Sequence, residues 1–394
     1  MSIRTFVVSR VAERLTGAAT EARRREVAER ERRAKRLPHV VDYFHQADDP
    51  YSALAAQVLP TFASRYDVEL RTHLVSAPSD AAAPERERLA SWSRIDAKRL
   101  APRAGLEYRD SWTLASPTTS STAEGDALRR RLGHYLGATF HYGGEWYWGI
   151  DRLHYLESRL GALGARRADA PAAPIFAPPA VPRPDAAPVA GRRPTLHFYL
   201  SFRSPYTYIA TERAKALADA WDAELALRFV LPMVMRGLPV PAEKRRYISL
   251  DAAREARRVG VPFGRIADPV GKPVQRGYSL LPWAIAQGRG YDYCLAFMRA
   301  VWSRGVDAGS DRGLRAIVES AGLDWDDANS HLGADGWRAE AETNRRELLD
   351  LGLWGVPSFR VGDVSVWGQD RLWVIDDALA SVCARVSATS ERSA

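Results

Sequence analysis

The chain has 394 residues, 46% hydrophobic and 26% charged, a composition that suits two or three globular domains and excludes disorder throughout. A negative mean hydropathy, with no stretch of about 18 residues free of charge, excludes a multi-span membrane protein, and two cysteines, Cys294 and Cys383, exclude a disulfide scaffold or a cysteine zinc cluster. The net charge of +8 does not describe a nucleic-acid groove, because residues 1–38 hold eleven Arg/Lys against five Glu and the remainder is close to neutral.

Residues 1–37 read as a basic helical arm, with Glu21–Arg25 and Glu26–Arg30 at i, i+4 spacing. Phe6-Val7-Val8 is too short for a secretory core, so a cytoplasmic location is expected. Residues 38–164 form a first domain. Between 165 and 194 the composition turns to Ala and Pro, including Pro171, Pro174, Pro178, Pro179, Pro182, Pro184, Pro188 and Pro194, which favours an extended linker. A second domain follows over 195–386, and 387–394 are expected to be a disordered tail.

The two domains resemble each other. Val41-Asp-Tyr-Phe-His, followed by Asp49-Pro50-Tyr51-Ser52, parallels Leu196-His-Phe-Tyr-Leu, followed by Ser204-Pro205-Tyr206-Thr207. Phe140 to Leu153, containing Trp148-Gly149-Ile150-Asp151-Arg152, parallels Phe359 to Leu372, containing Trp367-Gly368-Gln369-Asp370-Arg371, without a gap. Each half predicts strand, helix, strand (second strands at 68–74 and 224–231), then a hairpin around Gly143-Gly144 or Gly362-Asp363 and a closing helix. That is the thioredoxin order. The expected class is α/β, with two thioredoxin-like domains and a DsbA-type helical insertion in the second. Insertion helices are predicted near 242–259, 276–289, 290–304, 310–321 and 335–351.

Ser204 stands where a helix begins, with Pro205 in its first turn. A serine there caps the helix, and the exposed N–H groups and positive potential also suit an anion such as a thiolate. Ser204 and Thr207 occupy the places of the two cysteines of a C-x-x-C motif, so a redox dithiol is not expected. Pro357, in Gly355-Val356-Pro357-Ser358-Phe359, enters the penultimate strand; a cis bond there turns the Val356 backbone toward the helix start, where an extended peptide can pair with it. In the first half Asp49 stands at the Ser204 position and would repel a thiolate, and Ala138 stands at that of Pro357, so no thiol chemistry is expected there. Retention of Asp151-Arg152 in that half raises the reading that Asp370 serves the fold, by capping the last helix. The histidines lack metal-ligand spacing, Cys294 lies on a buried helical pattern, and no metal is expected. Trp302, Trp283 and Tyr206 are read either as core or as the lining of an apolar acceptor pocket.

With Ser-Pro-Tyr-Thr-Tyr, Gly-Val-Pro-Ser-Phe and Trp-Gly-Gln-Asp-Arg-Leu in this order, roughly Pro194–Arg385 resembles the 2-hydroxychromene-2-carboxylate isomerases and kappa-class glutathione transferases, glutathione-dependent members of the DsbA-like thioredoxin superfamily. The resemblance implies that Ser204 stabilises the glutathione thiolate and that Val356, before cis Pro357, pairs with the cysteinyl unit. It further implies that Gln369 and Asp370 lie near the γ-glutamyl end and that Lys244 reaches the glycyl carboxylate. Leu238 departs from the asparagine that related transferases carry there. The expectation is a glutathione-dependent isomerase or transferase acting on an electrophilic aromatic or enone acid. The alternatives are a non-catalytic thioredoxin-like scaffold and, less favoured, a disulfide oxidoreductase. No nucleic-acid or membrane partner is expected; the two domains are expected to pair within the chain, with homo-oligomerisation open.

Overall fold

The basic arm is two helices rather than one: α1 (Ile3–Thr16) and α2 (Ala18–Ala34), interrupted at Gly17. A computed structural model describes residues 3–115, 117–119, 121–180 and 193–390. The chain divides into one unit of Ala18–Pro179 with Pro239–Tyr247, and another of Met1–Gly17, Ala180–Leu238 and Ile248–Ala394. The arm is therefore shared: α1 belongs to the C-terminal unit and α2 to the N-terminal one. In its unit α1 turns Ser9 and Thr16 inward, where Arg257 donates to the Thr16 carbonyl at 3.0 Å, and leaves Val7, Val8, Val11 and Leu15 exposed.

The N-terminal unit continues with β1 (Val40–His45), α3 (Pro50–Arg65), β2 (Glu69–Leu74), α4 (Arg86–Arg103), α5 (Thr122–Leu132), β3 (Thr139–Tyr142), β4 (Glu145–Trp148), a 3-10 turn Ile150–Arg152 and α6 (Leu153–Ala162). The sheet order is β2-β1-β3-β4, with β1 parallel to β2 and the other pairs antiparallel. Alternation in Val-Val-Asp-Tyr-Phe-His sends Val41 and Tyr43 to one face and Phe44 to the other, where it packs with Val75, Trp146 and Tyr247. Asp49 caps α3 by accepting from the Ser52 backbone N–H at 2.9 Å, and Pro50 fills the first turn, where no N–H is needed.

The C-terminal unit repeats this plan: β5 (Thr195–Leu200), α7 (Pro205–Ala220), β6 (Glu224–Phe229), a 3-10 turn Met233–Arg236, α8 (Ala242–Arg258, whose residues up to Tyr247 count with the N-terminal unit), α9 (Lys272–Ala286), α10 (Gly290–Arg299), a π turn Ala300–Arg304, α11 (Asp311–Ser320), α12 (Trp325–Ser330), α13 (Trp337–Asp350), β7 (Ser358–Val361), β8 (Val364–Trp367) and α14 (Leu372–Ser390). Its sheet is β6-β5-β7-β8 with the same parallel and antiparallel pairs. Phe198 and Phe359 stack at 5.0 Å across β5 and β7. The helical insertion differs from expectation in three details. α9 begins at Lys272, the helix expected over 290–304 ends as a π turn, and α12 is an additional short helix capped by Asp324. α14 runs to Ser390, beyond the expected domain end at 386. Residues 391–394 of the expected tail, and Pro182, Pro184 and Pro188 of the expected linker, lie outside the described residues.

Side-chain bonds repeat between the units as well. Tyr51 donates to Asp96 at 2.8 Å and Tyr206 to Asp251 at 2.8 Å, each pair 45 residues apart. The Ser52 hydroxyl accepts from Gln46 N and the Thr207 hydroxyl from Ser201 N, each across six residues. Tyr66 donates to Glu157 in the closing helix of one unit, and Trp221 to Asp376 in that of the other. These bonds tie the first helix of each unit to its surroundings whether or not a serine begins it.

Candidate active site

Ser204 is half-buried at the start of α7. Its hydroxyl oxygen accepts from the Thr207 N–H at 3.1 Å, so it is a cap, and the hydroxyl donates to the Val356 carbonyl at 3.3 Å. The Val356–Pro357 bond is cis. Two segments more than 150 residues apart in sequence thus meet at one hydroxyl. Beyond Pro357 the backbone continues directly into β7, and the Pro357 carbonyl accepts from Gly368 N at 2.9 Å, closing the hairpin against the same corner. A helix start with its positive potential, a hydroxyl and an adjacent backbone edge is suited to a negatively charged atom carried on an extended chain.

The remaining expected ligands are engaged elsewhere. Gln369 is buried; its amide oxygen accepts from Arg213 at 2.6 Å and its amide nitrogen donates to Glu255 at 2.7 Å. Glu255 is in turn paired with Arg258 at 2.9 Å, and burial pushes the Arg213 guanidinium down. Asp370 lies 3.4 Å from Arg371. Lys244 belongs to the N-terminal unit, where it is buried, donates to the Ala82 carbonyl at 2.7 Å and is pushed down to about 8 by desolvation. The structure therefore brings Ser204, Val356 and Pro357 together, and it commits Gln369 and Lys244 to protein partners. Arg213 and Glu255, which hold Gln369, carried no signal in the sequence: each sits on a helix among other charged residues, and only tertiary contact separates them from solvated neighbours.

Of the aromatic candidates, Trp302 is buried and its indole N–H donates to the Phe202 carbonyl at 3.0 Å. Trp283 stacks on His331, and Tyr206 is bonded to Asp251. Cys294 is buried, and desolvation pushes its thiol well above the ordinary range. In the N-terminal unit Asp42 contacts His73 at 2.8 Å and His141 at 3.8 Å, a polar cluster that the chain spacing of the histidines did not reveal.

Asp49, at the place of Ser204, is pushed up to about 6, chiefly by desolvation. An unfolded Asp titrates near 3.9, so the folded chain holds this proton over a window in which the unfolded chain has lost it. Stability from this group is greatest below about pH 4 and falls as pH rises toward 6. Asp49→Asn keeps the cap and removes the charge. It is expected to stabilise the N-terminal unit by about 1 kcal/mol at pH 8 and by nothing measurable at pH 3.5, after discounting for partial exposure. Thermal unfolding of both proteins at the two pH values checks this; equal midpoints at pH 8 would remove the buried charge from consideration.

The fold and corner define the class: residues 195–380 match the DSBA-like thioredoxin domain, and the C-terminal half of the chain is such a domain. Within that class it is similar to 2-hydroxychromene-2-carboxylate isomerases. The isomerase of Pseudomonas putida is 26% identical over 196 residues, 47% of this chain and 94% of the relative. That of Sphingobium xenophagum is 26% identical over 203 residues, 47% of this chain and 97% of the relative. A solved 2-hydroxychromene-2-carboxylate isomerase structure covers 50% of this chain and 98% of its own, at 22% identity and a TM-score of 0.42. Among the described residues no helix is long and apolar enough to cross a membrane.

Proposed function

We propose that the C-terminal domain is a glutathione-dependent isomerase, or a transferase of the same chemistry, acting on an electrophilic aromatic or enone acid. The observation that carries this reading is the Ser204 hydroxyl at the start of α7, 3.3 Å from the Val356 carbonyl beside cis Pro357. The residues present fit the sulfur end of a small thiol. Its peptide ends would need groups other than Lys244 and Gln369, which are already bonded.

When bound, the thiol would supply a nucleophilic sulfur able to add reversibly to a conjugated double bond of the substrate. Ser204 turns its hydroxyl from the Val356 carbonyl to the sulfur and holds it as thiolate near neutral pH. The start of α7 contributes positive potential at the same point. The Val356 backbone fixes the thiol's chain as an added strand, so the sulfur is held in place before the substrate arrives. With Ser204 and Thr207 at the C-x-x-C places and Cys294 buried, no protein dithiol takes part.

The sequence parallels and the repeated Tyr–Asp and hydroxyl bonds support a further part of this reading, that the two units descend from a duplication in which only the second kept the serine and the proline. A non-catalytic thiol-independent binding protein is the second reading, favoured by the engagement of Lys244 and Gln369. Calorimetric titration of the full chain with glutathione separates the two. Saturable heat at millimolar ligand, with a rise in thiolate absorbance at neutral pH, is expected; neither heat nor thermal shift would leave the binding protein.

A further inference from the structure

The segment that delivers Ser204 is held by its own backbone. The Phe202 N–H donates to the Tyr278 hydroxyl at 3.2 Å, that hydroxyl donates to the Val230 carbonyl at 2.9 Å, and the Trp302 indole donates to the Phe202 carbonyl at 3.0 Å. Both polar groups of one residue, two positions before the serine, are thus taken by aromatic side chains of the helical insertion, Tyr278 on α9 and Trp302 on the π turn after α10. The Phe202 ring is fully buried, stacked on Phe297 at 4.2 Å and 16°. Gly277 leaves the room: a Cβ there would lie 2.5 Å from Phe297 and 3.0 Å from Phe202.

The other unit supplies the comparison. Asp49 N donates to Gln46 O as Ser204 N donates to Ser201 O, so Ala47 is the counterpart of Phe202. Ala47 is exposed, and its carbonyl is met by the backbone N–H of Trp112 rather than by an aromatic side chain. The Tyr–Asp and hydroxyl bonds are present in both units, whereas the clamp on the loop occurs where the serine and cis proline stand.

We infer that Tyr278 and Trp302 are positioning residues for the active site: the insertion fixes the Phe202 peptide so that the Ser204 hydroxyl is aimed at the bound sulfur. This rests on the thiolate reading of Ser204. Donor placement decides how much a hydrogen bond to a developing or resident charge contributes, so a loosened loop costs rate and raises the pH at which the thiol ionises.

The test compares Tyr278→Phe and Trp302→Phe with Tyr293→Phe. Tyr293 is equally buried on α10 and loses a comparable bond, to the Gly277 carbonyl at 3.1 Å, while Tyr293→Phe keeps the ring that meets Phe202 edge-on at 6.3 Å and leaves both Phe202 backbone bonds in place. Tyr278→Phe is expected to lower glutathione-dependent kcat/KM by about tenfold and move its acidic limb up by about one pH unit, with Tyr293→Phe within about twofold of wild type. Amide exchange over 201–208 is expected to quicken in Tyr278→Phe and Trp302→Phe only. Unchanged exchange in both, or equal loss of rate in all three variants, overturns the clamp. Failure of the thiolate reading is visible separately, as wild-type protein that neither binds nor ionises glutathione while the exchange result still stands.

Discussion

Ser204→Ala is expected to reduce glutathione-dependent turnover by about 100-fold, with the bound thiol ionising at higher pH. A hydrogen bond to a charged atom contributes about 1.5–3 kcal/mol, and removing one donor from a preorganised charge site costs a factor on the order of 10². The same substitution removes the cap that Thr207 N uses at 3.1 Å, so stability should fall by about 1 kcal/mol. The two effects separate in Ser204→Asp. The N-terminal unit shows that a carboxylate caps this helix start, with Asp49 accepting from Ser52 N at 2.9 Å. Ser204→Asp should therefore melt close to wild type at about pH 4, where a carboxyl in this place holds its proton, and at neutral pH be less active than Ser204→Ala, because a carboxylate is set against a thiolate. Steady-state rates and melting of the three proteins decide it. Turnover in Ser204→Asp matching that of wild type would mean that the hydroxyl is a cap and nothing more.

The second large effect is expected away from the hydroxyl. Glu255 accepts from Gln369 at 2.7 Å and pairs with Arg258 at 2.9 Å, while Arg213 donates to the other end of the same amide at 2.6 Å. The carboxylate is almost fully buried. Removing one member of a buried charged network leaves its partners desolvated and unpaired, so Glu255→Ala should destabilise the C-terminal unit by about 3 kcal/mol. Glu255→Gln keeps a hydrogen-bonding group and should lose less. The measurement is the urea midpoint of the C-terminal transition at unchanged slope. A loss below about 0.5 kcal/mol in Glu255→Ala would show the network to be solvated in solution. Because Gln369 directly follows Gly368, whose N–H bonds the Pro357 carbonyl, the variant should also weaken thiol binding while leaving the ionisation of bound thiol as in wild type, which distinguishes it from Ser204→Ala.

How far the site was legible follows from which residues act locally. Asp49-Pro50 and Ser204-Pro205 announce helix starts because a cap and a first-turn proline depend only on the next three residues. Pro357 is legible because a proline at a strand entrance has few uses. Gln369 and Lys244 are different. Their expected roles came from resemblance, and an amide or an ammonium takes whichever partner the packed chain presents; here those partners are Arg213 and Glu255 for one and the Ala82 carbonyl for the other. The arm misled for a related reason. Its charges at i, i+4 spacing describe one solvated helix, yet Gly17 divides it and Ser9 and Thr16, not the valines, face its own unit.

By itself the sequence determined the order of strands in each half, the two helix starts, the linker composition, the absence of a C-x-x-C pair and the difference between an aspartate half and a serine half. Those depend on periodicity, proline and short-range hydrogen bonds. Only the tertiary structure decided that the Ser204 hydroxyl meets Val356, that Tyr278 and Trp302 grip the Phe202 peptide, and that Lys244 and Gln369 are already bonded. The reason is physical: a buried polar group must find a partner, and residues far apart in the chain become partners only when the apolar faces of the sheet and the insertion helices close around them.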